Sequence, residues 1–236
     1  PDSILEIDEK NYLSFSPRLI RFGSSGLAGV WAEENTRESI YNAFRRKETF
    51  GTSGPRIKVR FFAGYNFENS NLNDQDLIQE AYSKNIPMGG DIIQEKGKNP
   101  RFLVWAISDP LGAPLQRVQI IKGWLADGEQ REKVFDVACS DGQSVNPLNH
   151  RCPDNGAKVN LDDCSISREK GNAEIKTFWK DPEFSNDQEA FYYARVLENP
   201  TCRWSTWDAL RAEEKPRSDI PVTIQERAWS SPIWIK

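Results

Sequence analysis

At residue 56 the period of the apolar side chains changes, and this change constrains the fold more than any other feature. In "RIKVRFF" (56–62), Ile57, Val59 and Phe61 alternate with Arg56, Lys58 and Arg60. That is the spacing of a half-buried strand. Further strand-like runs follow at 101–108, 115–125, 132–139, 173–179, 189–198 and 227–235. Asp109-Pro110-Leu111-Gly112 and Asp127-Gly128 supply turns between them. Strands joined by short turns predict an antiparallel β-sandwich-like domain over 55–236. Pro232 pushes the last run to an edge or a bulge. Two short helices are expected within it, at 73–85 with Leu77, Ala81 and Tyr82 inward, and at 206–214.

Before residue 56 the pattern is different. Leu27-Ala-Gly-Val-Trp31 reads as a short buried strand. Asn35, with Glu38 three positions on, reads as the cap of a helix over about 36–47. Ile40, Ala43 and Phe44 then recur at helical spacing. Glu33 and Glu34 lie at the positive end of its dipole and Arg45, Arg46 and Lys47 at the negative end. "GTSGP" (51–55) stops the helix. The expected class is therefore α+β, mainly β, with a boundary near residue 54.

Eight Trp and twelve Phe in 236 residues need a core to bury them. The net charge of −4 argues against a nucleic-acid partner. No apolar run reaches the ~18 residues of a membrane span. The chain opens at Pro1 without a secretory leader, and residues 1–25 show few periodic patterns. It reads as part of something longer.

Chemistry is sparse. The single histidine, His150, has no motif around it and reads as a surface residue, so a histidine-rich metal centre is excluded. "FGTSGP" lacks the Lys-Ser/Thr of a phosphate loop, and "PMGGD" is a turn carrying one carboxylate, Asp91. Glu33 and Glu34 are the best acidic catalytic candidates, because they sit between a strand end and a helix start. Arg37, one turn on, would pair with one of them or hold an anion. Trp204, Trp207, Trp229 and Trp234 fall in the last third. Exposed indoles on a β-sandwich can stack on sugars, so Trp204 and Trp207, with Arg203 beside them, are binding candidates.

Three of the four cysteines fall in a polar loop at 139–164 that has little apolar material to hold it. No C-x2-C spacing favours zinc. Bridges would constrain the loop, and four cysteines allow three pairings. The reading preferred here joins Cys152 to Cys164 as a local staple and Cys139 to Cys202 between strand ends; the alternative is four reduced, buried thiols. Bridges would place the chain in an oxidising compartment, periplasmic or extracellular.

Taken together, "SSGLAGVWAEENTRESIYNAFRRKETFGTSGPRI", "RFFAGYNF", "NIPMGGD", "VQIIKGW", "RCPDNGAKVNLDDC", "DPEF", "AFYYARVLENPTCRWSTWDA" and "QERAWSSPIW" resemble a bacterial domain-of-unknown-function family. That family looks related to the PHP (polymerase and histidinol phosphatase) metal-dependent hydrolases. The resemblance runs from residue 23 onward. It implies a β/α barrel whose His, Asp and Glu side chains hold divalent Zn, Mn or Fe. This sequence has neither the His-x-His nor the Asp-x-His motif, so no metal residue carries over and no cofactor is expected in this chain. Residues 1–54 would be the barrel's last strand and helix. Residues 55–236 would be a non-catalytic domain that supports the missing barrel or lines its site. The cysteines match a cysteine-bearing subset of the family, which favours disulfides and export.

Three roles follow, and each makes a structural expectation. An accessory portion of a hydrolase is inert alone. A glycan- or ligand-binding module needs exposed Trp in a groove. A supporting domain, or one half of a homo-oligomer, shows an apolar patch where its partner sits.

Overall fold

The computed structural model describes residues 4–13, 22–23, 25–67, 70–186 and 188–236. A hairpin of β1 (Ile4–Ile7) and β2 (Lys10–Leu13) comes first. Then follow β3 (Leu27–Val30), α1 (Arg37–Arg45), β4 (Thr49–Thr52) and β5 (Lys58–Gly64). Next are α2 (Leu77–Lys84), β6 (Ile86–Pro87), β7 (Asp91–Ile92) and β8 (Arg101–Ile107). The long strands β9 (Leu115–Ala126) and β10 (Glu129–Cys139) precede the cysteine-rich loop, and β11 (Glu174–Lys180) and β12 (Ala190–Glu198) follow it. The order closes with β13 (Thr201–Cys202), α3 (Trp204–Arg211), β14 (Thr223–Ile224), β15 (Arg227–Ser230) and β16 (Ile233–Ile235).

Two sheets pack face to face. The larger runs β10-β9-β12-β15-β4-β3, with β16 also on β12 and β7 on β16; the smaller runs β11-β8-β5-β6. All pairs are antiparallel except β7 with β16. The inward residues meet in one core: Val59, Phe61 and Ala63 of β5, Phe102, Val104 and Ala106 of β8, Val118 and Ile120 of β9, and Tyr192, Ala194 and Val196 of β12. This is the mainly antiparallel, sandwich-like architecture expected from alternation.

Alternation at 56–62 implied one wet face for β5. Instead its outward Phe62 is buried with Leu103 beneath Leu77 and Ala81 of α2. A helix covers part of the outer face, giving a local third layer. Past that cover, Arg60, Trp105 and Lys176 form one row, and the Arg60 guanidinium lies 3.6 Å above the Trp31 ring.

Several details differ from expectation. The 27–31 run is not a buried strand: β3 is an edge of the large sheet, with Leu27 and Ala28 exposed. The helix cap is Thr36, whose hydroxyl accepts from the Ser39 amide, in place of Asn35. Ser39 in turn accepts from the Glu34 amide, two residues before the cap. Tyr82 is exposed, not inward; its hydroxyl accepts from Arg60 and donates to Glu48. The 227–235 run breaks at Ser231-Pro232 into β15 and β16, both of which pair with β12. Proline cannot donate to a ladder, and the chain steps off it there.

The unit read as the end of a β/α barrel is here an extension of the large sheet, since β4 pairs β15 and β3 pairs β4. Residues 1–3, 14–21 and 24 of that expected unit lie outside the described residues.

Disulfides form, but with a different pairing from the preferred one: Cys139–Cys152 and Cys164–Cys202. The preferred reading joined near neighbours within the loop. The chain instead turns back at His150, whose carbonyl accepts from Asp136 N, and the Cys152 amide donates to the Asp136 carboxylate. Cys152 is thereby laid against the end of β10. The far end of the loop then reaches Cys202 in β13.

Candidate functional site

The sequence-named residues do not gather at one site, although Arg203 and Trp204 both donate to the Phe22 carbonyl. Glu33, Glu34 and Arg37 are all exposed at the start of α1. Glu33 pairs with Arg46 at 3.5 Å, and nothing places Glu34 or Arg37 at a shared centre. Asp91 is bound by Lys236 at 2.7 Å. His150 is half-buried, its ring edge-on to Phe135 at 5.1 Å. Trp204 donates to the Phe22 carbonyl at 2.9 Å and lines a cavity of about 690 Å³ with Asp8, Asp208 and Glu214. Trp207 is exposed beside Arg211. Arg203, one residue before Trp204, enters a different cleft.

That cleft has a largely polar lining. It measures about 700 Å³ and lies between the disulfide-tied loop and the segment around β14. Arg117, Arg203 and Arg227 border it, with Gln116, Gln225, Thr223, Cys152 and Asp154. Its base is a bulge: β12 slips register between Leu197 and Glu198 against β9, so Arg117 faces Leu197, Leu115 faces Glu198, and Gln116 is left over. The extra residue is put to use. Gln116 donates to Asn155 Oδ1 at 3.3 Å and accepts from Gln225 Nε2 at 2.9 Å. It is 8 % exposed.

The arginines are held from behind. Arg117 Nε lies 4.0 Å from the Asp136 carboxylate, which is closed off from water. Asp136 also accepts from Gln119 at 2.6 Å, and Gln119 accepts from Arg195 Nε at 2.7 Å. Arg203 donates to the Phe22 carbonyl, and Arg227 Nε to the Gln225 carbonyl. Behind the cleft Glu198 is buried. Burial pushes its carboxyl up to about 8, and the charges of Asp109 and Glu226 add to the rise. Among the described residues its Oε1 has no hydrogen-bond partner.

Three arginines and side-chain amides in one lining suit an anion, carboxylate, sulfate or phosphate; Arg203 is only 8 % exposed, so Arg117 and Arg227 are the more open of the three. Among the described residues no three of His, Cys, Asp and Glu lie close enough to share an ion, and all four thiols are bridged. Of this cleft the sequence names Arg203 as a binding candidate and Cys152 as a disulfide candidate. The signal for the rest was the placement of polar Gln116, Arg117 and Gln119 inside the apolar run of β9.

No curated protein matches the chain. No solved structure matches it either. One family model does, over residues 4–236, and with nearly the whole length covered the chain belongs to the family described as Protein of unknown function (DUF3604).

Proposed function

We propose that this chain is a non-catalytic, ligand-binding β-sandwich module of an exported protein, and that it captures an anionic group in the cleft of Arg117, Arg203 and Arg227. One observation carries the reading: three arginines border one cleft of a chain whose net charge is −4. The three arginines outnumber the one acidic residue of the lining, Asp154, so the charge of the cleft favours an anion. The two disulfides support the periplasmic or extracellular assignment, because such bridges persist in oxidising compartments. No described helix is long and apolar enough to cross a membrane.

Titration calorimetry with glucuronate, and with glucose as the uncharged control, tests this. Glucuronate should bind and glucose should not. Arg227→Ala should weaken glucuronate by roughly tenfold or more, and Arg227→Lys by less, since lysine keeps the charge but loses the fork. Equal binding of both sugars, or none, would remove the reading.

A second reading rests on a different surface. Tyr41 and Phe44 of α1 are 59 % and 50 % exposed, and Leu27 on the adjoining strand 45 %. Such a patch fits a domain that supports a PHP-type hydrolase barrel of the same protein, with the metals held on the barrel. Co-expression with the barrel should give a stable complex that Tyr41→Glu/Phe44→Glu disrupts. A complex indifferent to those changes would count against this surface.

A further inference from the structure

We propose that the outer face of the large sheet is a track for an extended saccharide, its acidic group in the arginine cleft and its uncharged rings stacked in an aromatic trough farther along. The inference rests on the anion-binding reading of the cleft. It adds the ligand class and a second point of contact.

The register places the two ends on one face. Arg117, Leu197 and Arg227 form a row across β9, β12 and β15. Gln119, Arg195 and Trp229 form the next row, and Ile121 with Tyr193 the one after. The last row is Glu132, Gly123, Phe191 and Trp234, across β10, β9, β12 and β16. Arg117 and Gly123 are on the same strand, and at the rise of an extended strand the rows they head are about 20 Å apart.

The trough is built, not merely open. A Cβ at residue 123 would sit 2.3 Å from the Phe191 ring, so only glycine lets that ring lie down across β9. Trp234 flanks it at 5.0 Å between ring centroids, and Tyr193 stacks on its other side at 6.5 Å. Trp234 stays 42 % exposed. The resulting groove measures about 1090 Å³.

The rim of the groove selects the class. Gln130, Glu132, Gln188 and Glu189 line it. A sugar ring offers an apolar face to the aromatics and hydroxyls that donate to these oxygens. Arg131 and Lys236 also line the groove but are paired with Glu129 and Asp91, so a polyphosphate or a nucleic acid would meet Asp127, Glu132 and Glu189 as like charges. An acidic group is accommodated at the other end, where the arginines are. Trp229 and Arg195 between the ends continue the mixture of ring faces and donors.

The test is calorimetry on the whole chain with three probes. These are glucuronic acid, aldotetraouronic acid (one glucuronate on three xyloses) and neutral xylotetraose. The aldotetraouronic acid should bind about tenfold tighter than glucuronic acid, the size of one good stacking contact. Trp234→Ala should abolish that gain and leave glucuronic acid unchanged, whereas Arg227→Ala should weaken both. An unchanged melting temperature for Trp234→Ala would show that the fold is intact. No gain from length, or a gain that survives Trp234→Ala, overturns the track and leaves the cleft standing. If neither acidic probe binds, both readings fall. Xylotetraose binding as tightly as the acidic tetrasaccharide would overturn the arginine anchor.

Discussion

The Lys122 ammonium lies 2.8 Å from the Asp181 carboxylate, and the two side chains are 3 % and 0 % exposed. They meet at the end of the sandwich core, where the Tyr192 hydroxyl donates to the same carboxylate oxygen at 2.7 Å. Lys122 also donates to the Glu183 carbonyl at 3.0 Å, and the Glu183 amide to Asp181 Oδ1 at 2.8 Å. Burial, then the charge and hydrogen bond of Asp181, hold the Tyr192 hydroxyl in its protonated form. A charge pair this deep survives only because every partner is in place.

Removing one partner should therefore be costly. Lys122→Met leaves Asp181 as a buried carboxylate without its counter-charge, and should lower stability by about 3–5 kcal/mol. Urea unfolding of the variant beside the parent chain checks this. A loss below about 1 kcal/mol would mean that water reaches the pair in solution.

Glu198 gives a pH dependence of definite sign. Its carboxyl is held at about 8 in the folded chain, against an ordinary value of 4.5. Between these two values the folded chain keeps a proton that the unfolded chain has released. The stabilisation is complete below about 4.5 and is lost as pH rises through about 8. Melting temperature should fall by several degrees across that window, and Glu198→Gln should flatten this part of the profile. A parent profile identical to that of the Gln variant would show that Glu198 is ionised in the fold.

The two disulfides should contribute unequally. Cys164–Cys202 closes a longer loop than Cys139–Cys152, with separations of 38 and 13 residues. Loop entropy alone assigns about 4 and about 3 kcal/mol to them. The paired Cys→Ser variants, compared by chemical unfolding, should fall in that order. Loss of Cys139–Cys152 should also weaken any ligand of the arginine cleft, because Cys152 is part of its wall.

Gly123→Val should cost about 1–3 kcal/mol by overpacking, since the new side chain must displace the Phe191 ring. Thermal melts read the stability, and Trp234 fluorescence reads the lost ring contact. Unchanged fluorescence would mean that the ring does not lie over the strand.

The division between what was legible and what was not follows from the range of the interactions. Alternation in β5 and the Asp127-Gly128 turn are local signals. Both turn residues take positive φ, 53° and 78°, as a tight hairpin between β9 and β10 requires. Period and turn chemistry alone therefore predicted a mainly antiparallel β fold. Gln116, Arg117 and Gln119 could be seen to interrupt an apolar run, but what they served could not.

The sequence by itself determined the longer strands, the short helices and the inward face of β5, Ile57, Val59 and Phe61, because backbone sterics and the hydrophobic effect act on neighbours along the chain. Only the tertiary structure decided which cysteines meet, because pairing depends on where His150 turns the loop back onto Asp136. It alone placed Arg203 in the cleft with Arg117 and Arg227, and put Trp204 in a different cavity. Those juxtapositions rest on a bulge and on strand register, which long-range pairing sets and residue spacing does not encode.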